Sequence, residues 1–189
     1  MEDSSYRSTQ SSGVEVRHYY KKEVVTGFET DLLGREVAIV DIFESPDSLR
    51  GAYDWVFIRR DQQYLGSGYA EYIENNTRYL VLKLPGHPNS KWNGNLYNSL
   101  GQETWKYASI DTAITLDGTS YPNCLYVLQV PYRQPVEVRG QSYFLIEHAF
   151  EAYSSNVGKI LKYRKFFEEQ GGVTVPESFV YYEYLISHN

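Results

Sequence analysis

Hydrophobic and polar positions alternate with a period near two along most of this chain, the pattern of half-buried strands. "REVAIVDIF" (35–43) is rich in Val and Ile, and "YDWVFIRR" (53–60) sets Tyr53, Trp55 and Phe57 on one face. Turn-forming residues separate such runs. Leu32-Leu33-Gly34 predicts a hairpin near Gly34, Asn75-Asn76 a second and Asp117-Gly118 a third. Both central residues of a type I′ turn need positive φ, which Asn, Asp and Gly tolerate. Ala113–Leu116 should therefore pair with the strand that carries Cys124. Pro85 should stop the strand after Asn76. "SYFLIEHAFEAYSSNVGKILKYRKFFEEQGG" reads as two long strands around Ser155-Asn156, with Gly158 as a bulge or a close-packed strand position. Glu and Ala leave a helix over Phe144–Tyr153 as the alternative. "FVYYEYLIS" reads as the last strand. Two stretches read as connections, "GHPNSKWNGNLYNSLG" (86–101), rich in Gly, Pro and Asn, and "PYRQPVEVRGQ" (131–141), rich in Pro and Gly. The sum is roughly ten strands and no helix of three turns, an all-β single antiparallel domain of sandwich or (half-)barrel type. Its expected limits are 14–189. Residues 1–13, "MEDSSYRSTQSSG", are short, polar and rich in Ser, and are expected to be a disordered tether.

Composition sharpens this picture. A chain of 189 residues fits one domain with one core. Its 19 tyrosines favour strands, because a flat ring covers a pleated surface while the hydroxyl stays wet. The formal net charge of −6 and the lack of a basic stripe argue against nucleic-acid binding. The nearest basic cluster, "KILKYRKFFEE" (159–169), would place charges on both strand faces, which reads as a solvated, partly edge-exposed strand. No apolar run reaches the ~18 residues a spanning helix needs, and the opening residues lack the apolar centre of a signal peptide.

Candidate chemistry is sparse. Cys124 is the only cysteine, so no internal disulfide is possible. It shares a strand face with Tyr126, Leu128 and Val130, and nothing local would lower its pKa, so it reads as a small buried hydrophobe. "GSG" at 66–68 and "GTS" at 118–120 do not make a nucleophile elbow. The four histidines are scattered without metal-ligand spacing. "SSNVGKI" lacks the spacing of a phosphate loop. "NNT" (75–77) has the form of a glycosylation acceptor, but the turn accounts for it. No catalytic residue, metal site or cofactor is expected. Trp92, Trp55 and Tyr97 are the candidate ligand-binding residues, as aromatic platforms for a sugar or an apolar group. Trp92 stands out because it sits in a polar loop.

The order of several segments also resembles a family. "EVVTGFETDLLGREVAIVDIFESPDS", "YDWVFIRR", "ENNTRYLVLKLP", "SKWNGNLYNSLG", "ITLDGTSYPNCLYVLQV" and "FEAYSSNVGKILKYRKFF" are similar to segments of uncharacterised predicted lipoproteins of Bacteroidetes-type bacteria. The similarity covers most of residues 15–187. The chain departs from that pattern at Asn156, where glycine is usual, and at Lys159, where an apolar residue is usual, which suggests that Lys159 faces water. The resemblance implies an antiparallel β fold and a precursor with a lipid-modified cysteine just before Glu2, where Met1 stands here. It implies a cell-envelope location, periplasmic or outer-membrane-anchored, reached through the N-terminal tether alone. It supplies no activity and no catalytic residue. The expected function is non-enzymatic, binding or structural, with a small apolar or glycan ligand or an envelope protein as partner. The alternatives are a lipocalin-like carrier with an apolar cavity, and an envelope hydrolase that uses paired carboxylates.

Overall fold

The computed structural model describes residues 3–11, 16–46, 53–138, 141–170, 173–174 and 179–188. It is all-β, with no helix among these residues. The first six strands are β1 (Asp3–Ser11), β2 (Val16–Thr30), β3 (Glu36–Pro46), β4 (Val56–Leu65), β5 (Tyr69–Glu74) and β6 (Thr77–Lys83). The remainder are β7 (Lys91–Asn93), β8 (Thr104–Leu116), β9 (Thr119–Val138), β10 (Gln141–Ser154), β11 (Gly158–Gln170), β12 (Val173–Thr174) and β13 (Phe179–His188). They lie in the order β6-β5-β4-β3-β2-β1-β13-β11-β10-β9-β8-β7, with β12 beside β11. Two meanders are thus joined where the first strand pairs with the last, Tyr6 opposite Leu185 and Ser8 opposite Glu183.

The expected turns form for the expected reason. Asn75 and Asn76 have φ of 49° and 62°, and Asp117 and Gly118 have 46° and 81°. Gly34, at φ 76°, closes the β2–β3 hairpin. Asn156 lies at φ 63° and keeps the β10–β11 turn. Gly158 is not close-packed: a Cβ there would meet nothing within 4 Å, and its φ of 92° is what requires glycine. The bulge falls two residues on. Ala152 faces Leu161 and Tyr153 faces Lys159, leaving Ile160 as the extra residue.

The sheet folds over on itself without closing as a ladder. Its end strands β6 and β7 meet through single bonds, Leu80 N–H to Gly94 O and Trp92 Nε1–H to Leu80 O, both 2.8 Å. One apolar cluster lies at this seam, where Ala70, Leu80 and Leu82 pack with Trp92, Trp105, Tyr107 and Val127. The second joins Leu116, Tyr121, Cys124, Ala152, Ile160, Leu161 and Leu185.

Between the facing layers lies a network of charge. Lys21 Nζ sits 2.8 Å from Glu23 and 2.7 Å from Glu183, and Lys159 Nζ sits 3.2 Å from Glu23 and 3.5 Å from Glu183. Tyr181 donates to Glu183 and Tyr153 to Glu151. Lys159 of β11 also lies 5.6 Å from the Tyr72 ring of β5, a strand from the other half of the sheet. Tyr72 in turn donates to Asp61 at 2.6 Å, and Asp61 pairs with Arg59 at 3.0 Å. Burial alone would raise the pKa of Glu23, but the ammonium groups of Lys159 and Lys21 outweigh it and hold the carboxyl at about 2. Glu183, fully buried, is likewise held far below the usual carboxylate range by Lys21, Lys159 and Lys162 against the cost of burial.

Several sequence readings need correction. Residues 3–11, expected within a disordered tether, form β1, because main-chain bonding to β2 and β13 on both sides does not depend on side-chain polarity. Residues 131–138, expected as a connection, continue β9. The described β8–β9 register stops at Trp105–Gln129, so beyond it the prolines 131 and 135 need no donor on that side. The segment from Lys159 is no edge, since β11 lies between β10 and β13. Lys159 does not face water; it points into the charge network. The helical alternative over Phe144–Tyr153 is excluded, since β10 spans it.

Cys124 is fully buried and donates to Tyr121 O at 3.2 Å. Burial pushes its thiol pKa up, the reverse of an activated nucleophile. The folded protein should resist a thiol reagent until it is denatured. Cys124→Ser should cost about 1–3 kcal/mol by placing a hydroxyl in this cluster; rapid labelling of the native chain would contradict the packing.

Candidate binding cleft at the sheet seam

The seam is held by side chains of β8 and of the 86–101 segment. Tyr107 of β8 donates its hydroxyl hydrogen to Lys83 O at 2.6 Å and accepts from Lys83 N–H at 3.1 Å, and its own N–H reaches Ser90 O at 3.2 Å. Trp92 is buried, with its ring centroid 4.9 Å from that of Tyr107. Gly94 lies against the Trp105 indole: a Cβ at 94 would come within 2.3 Å of Nε1. Asparagines fix the following loop. Asn93 Oδ1 accepts from Asn95 N–H at 3.1 Å and Glu103 N–H at 3.0 Å. Asn98 Nδ2 donates to Arg78 O at 2.8 Å, and its Oδ1 accepts from Leu100 N–H at 2.9 Å. The density of Asn and Gly that marks this segment as a loop thus also gives it a fixed shape.

This loop and the β5–β6 hairpin enclose a cleft of about 370 Å³, lined by Gly68, Tyr69, Leu80, Lys83, Lys91, Trp92, Asn93, Leu96 and Tyr97. Tyr97 is 47% exposed and Leu96 54%. The Tyr97 and Tyr69 rings are 6.4 Å apart at 46°. Burial, with Tyr69 and Glu71 nearby, raises the Tyr97 hydroxyl pKa, so the group stays a neutral donor at physiological pH.

A compact ionic node supports Tyr69. Arg35 Nη1 donates to the Tyr69 hydroxyl at 3.1 Å, while Arg35 Nη2 pairs with Asp31 at 2.7 Å and Glu71 at 2.9 Å. Arg78 adds a second pair to Glu71 at 3.0 Å. The Arg35 guanidinium also lies 4.1 Å from the Tyr64 ring centroid. The Asp31 carboxyl, hydrogen-bonded by Arg35 and by the backbone N–H groups of Arg35 and Leu33, is held well below the usual range.

The three sequence candidates therefore separate. Trp92 and Tyr97 line one cleft, Trp92 as a buried wall and Tyr97 as an exposed ring. Trp55 belongs elsewhere, stacked on Tyr53 at 5.2 Å with Lys22 5.1 Å over its ring. It sits just before β4, whose far end leads to Gly68, on the order of 30 Å away at ~3.3 Å per residue. Sequence reading missed Tyr69, Lys83, Lys91 and Asn93. Only the contrast of Trp92 with its polar neighbours hinted at this region.

Acidic side chains offer little for acid–base work. Glu23 and Glu183 are both held ionised between lysines. Burial first, then Glu147, raises Glu103, but its carboxylate accepts from Asn95 and Glu147 is bound by Arg164. Neither lines the cleft. Among the described residues no cluster of His, Cys, Asp and Glu could hold a metal ion. No protein-family model, curated protein or solved structure matches this chain.

Proposed function

We propose that this chain is a non-enzymatic binding domain of the bacterial cell envelope, with its ligand held in the open cleft at the sheet seam. One observation carries the binding reading: Tyr97 presents a half-exposed ring on a loop already fixed by asparagine hydrogen bonds, across from a Tyr69 fixed by Arg35. Aromatic surface on a preorganised frame binds without a large ordering cost. The ligand class that suits such a surface is a saccharide or another ring with an apolar face and a polar edge. The envelope location rests on the resemblance of the quoted segments to predicted lipoproteins.

An enclosed lipocalin-like carrier fits less well, because charge pairs and two apolar clusters occupy the space between the layers. A carboxylate-pair hydrolase fits less well, because the cleft lining contains no acid.

Titration with a panel of neutral and acidic oligosaccharides, read by calorimetry or NMR, tests the reading. Tyr97→Ala should weaken binding about tenfold or more, equivalent to about 1.4 kcal/mol, with an unchanged melting temperature. A panel in which nothing binds, or in which Tyr97→Ala binds as well as the parent, would overturn it.

A further inference from the structure

Lysines gather at the seam without acids to meet them. Lys83 and Lys91 line the cleft, and both are exposed. Lys106 stands directly opposite Lys91 in the β7–β8 register, so the two side chains leave the sheet on the same face. Among the described residues none of the three has a carboxylate within ion-pair distance, whereas the two arginines beneath the cleft, Arg35 and Arg78, are each bound by Asp31 and Glu71. A directly opposed like-charge pair is destabilising. Its occurrence without relief, in a protein whose formal net charge is −6, is unexpected from composition.

Resting on the binding reading above, we infer that the ligand of this cleft is an acidic saccharide, with its ring face on Tyr97 and its carboxylate between Lys83 and Lys91. The tyrosines supply the apolar platform and Asn93 a neutral polar group. The lysines supply a charge that an uncharged sugar would leave unused. The cleft is open to solvent, which argues against a long acyl chain, since such a chain would need a tunnel to bury it. Lysine ammonium groups also act as point charges that tolerate more than one anion geometry, so recognition should depend on charge more than on linkage.

The experiment compares oligogalacturonate with its fully methyl-esterified form, which keeps the backbone and removes the charge. Binding to the full chain is measured at low and at high salt. Oligogalacturonate should bind at least tenfold tighter than the ester at low salt, and the difference should shrink as salt screens it. The double variant Lys83→Glu, Lys91→Glu should lose that preference while still binding the ester, with its melting temperature as the check on folding. Equal affinity for the two forms, or an acid preference that survives the double variant, would overturn the charge inference and leave the Tyr97-dependent cleft standing. If neither form binds and the wider neutral panel does, in a Tyr97-dependent way, the charge inference alone falls. If no saccharide binds at all, both fall.

Discussion

Replacing Glu183 by Gln should destabilise the fold by about 3–5 kcal/mol, the cost of removing one charged partner from a buried ion-pair network. Glu183 is fully buried, accepts from Tyr181 and lies within ion-pair distance of Lys21 and Lys159. Gln keeps the shape, so the loss is electrostatic. The Lys21 side chain, 9% exposed, would keep Glu23 at 2.8 Å. For a domain of this size the melting temperature should fall on the order of 10 °C. A surface pair provides the contrast. Arg60, whose side chain is 60% exposed, pairs with Asp41 at 2.6 Å, and Arg60→Gln should cost no more than about 1 kcal/mol. Equal, small effects from both substitutions would mean that water reaches the network.

The same network sets an acid limit. Glu23 and Glu183 have folded pKa values depressed below the unfolded value of about 4.3. Between the two values the unfolded chain binds more protons, so stability rises with pH there. Their contribution is complete above roughly pH 5 and drains away as pH falls toward the Glu23 value of about 2. Denaturant melts at stepped pH should show this slope, and Glu183→Gln should flatten it.

Trp92→Ala should cost a similar amount, about 3–5 kcal/mol, from the cavity left when a buried aromatic is removed. The ring packs against Tyr107 and in the cluster with Leu80, Leu82 and Trp105. Its Nε1–H is also the donor to Leu80 O across the seam, so the substitution removes one of the few bonds that join the two ends of the sheet. Trp92→Phe separates the two contributions, because it keeps most of the packing and loses only the hydrogen bond, about 1 kcal/mol. Hydrogen exchange should report the Ala variant as opening first at β6 and β7. If Trp92→Ala melted like the parent while only binding was lost, Trp92 would be a ligand platform and not a structural wall.

Hairpin positions were legible in the sequence because turn chemistry is local. Asn75-Asn76, Asp117-Gly118, Gly34 and Asn156 take positive φ for reasons contained in those residues. The period-two pattern was sufficient for the all-β class, and the apolar strand face around Cys124, with no cation beside it in sequence, was sufficient for its burial. Other features depended on partners far along the chain. Lys159 looks like a surface residue in "GKILKYR" because the carboxylates that draw it inward, Glu23 and Glu183, lie on β2 and β13. The opening residues look disordered because they are polar, yet main-chain hydrogen bonds between the first and last strands do not read side chains. Prolines 131 and 135 look like loop residues until the described register leaves that length of β9 unpaired on one side. The cleft is the extreme case. Tyr69, Lys83, Lys91 and Tyr97 come from three strands and a loop, and no periodicity links them. Sequence determined where the chain turns and which segments extend. Only the folding of the sheet over itself decided which charges were buried together and where aromatic rings and unpaired lysines came to share a surface, because both depend on contacts between residues that local chemistry cannot connect.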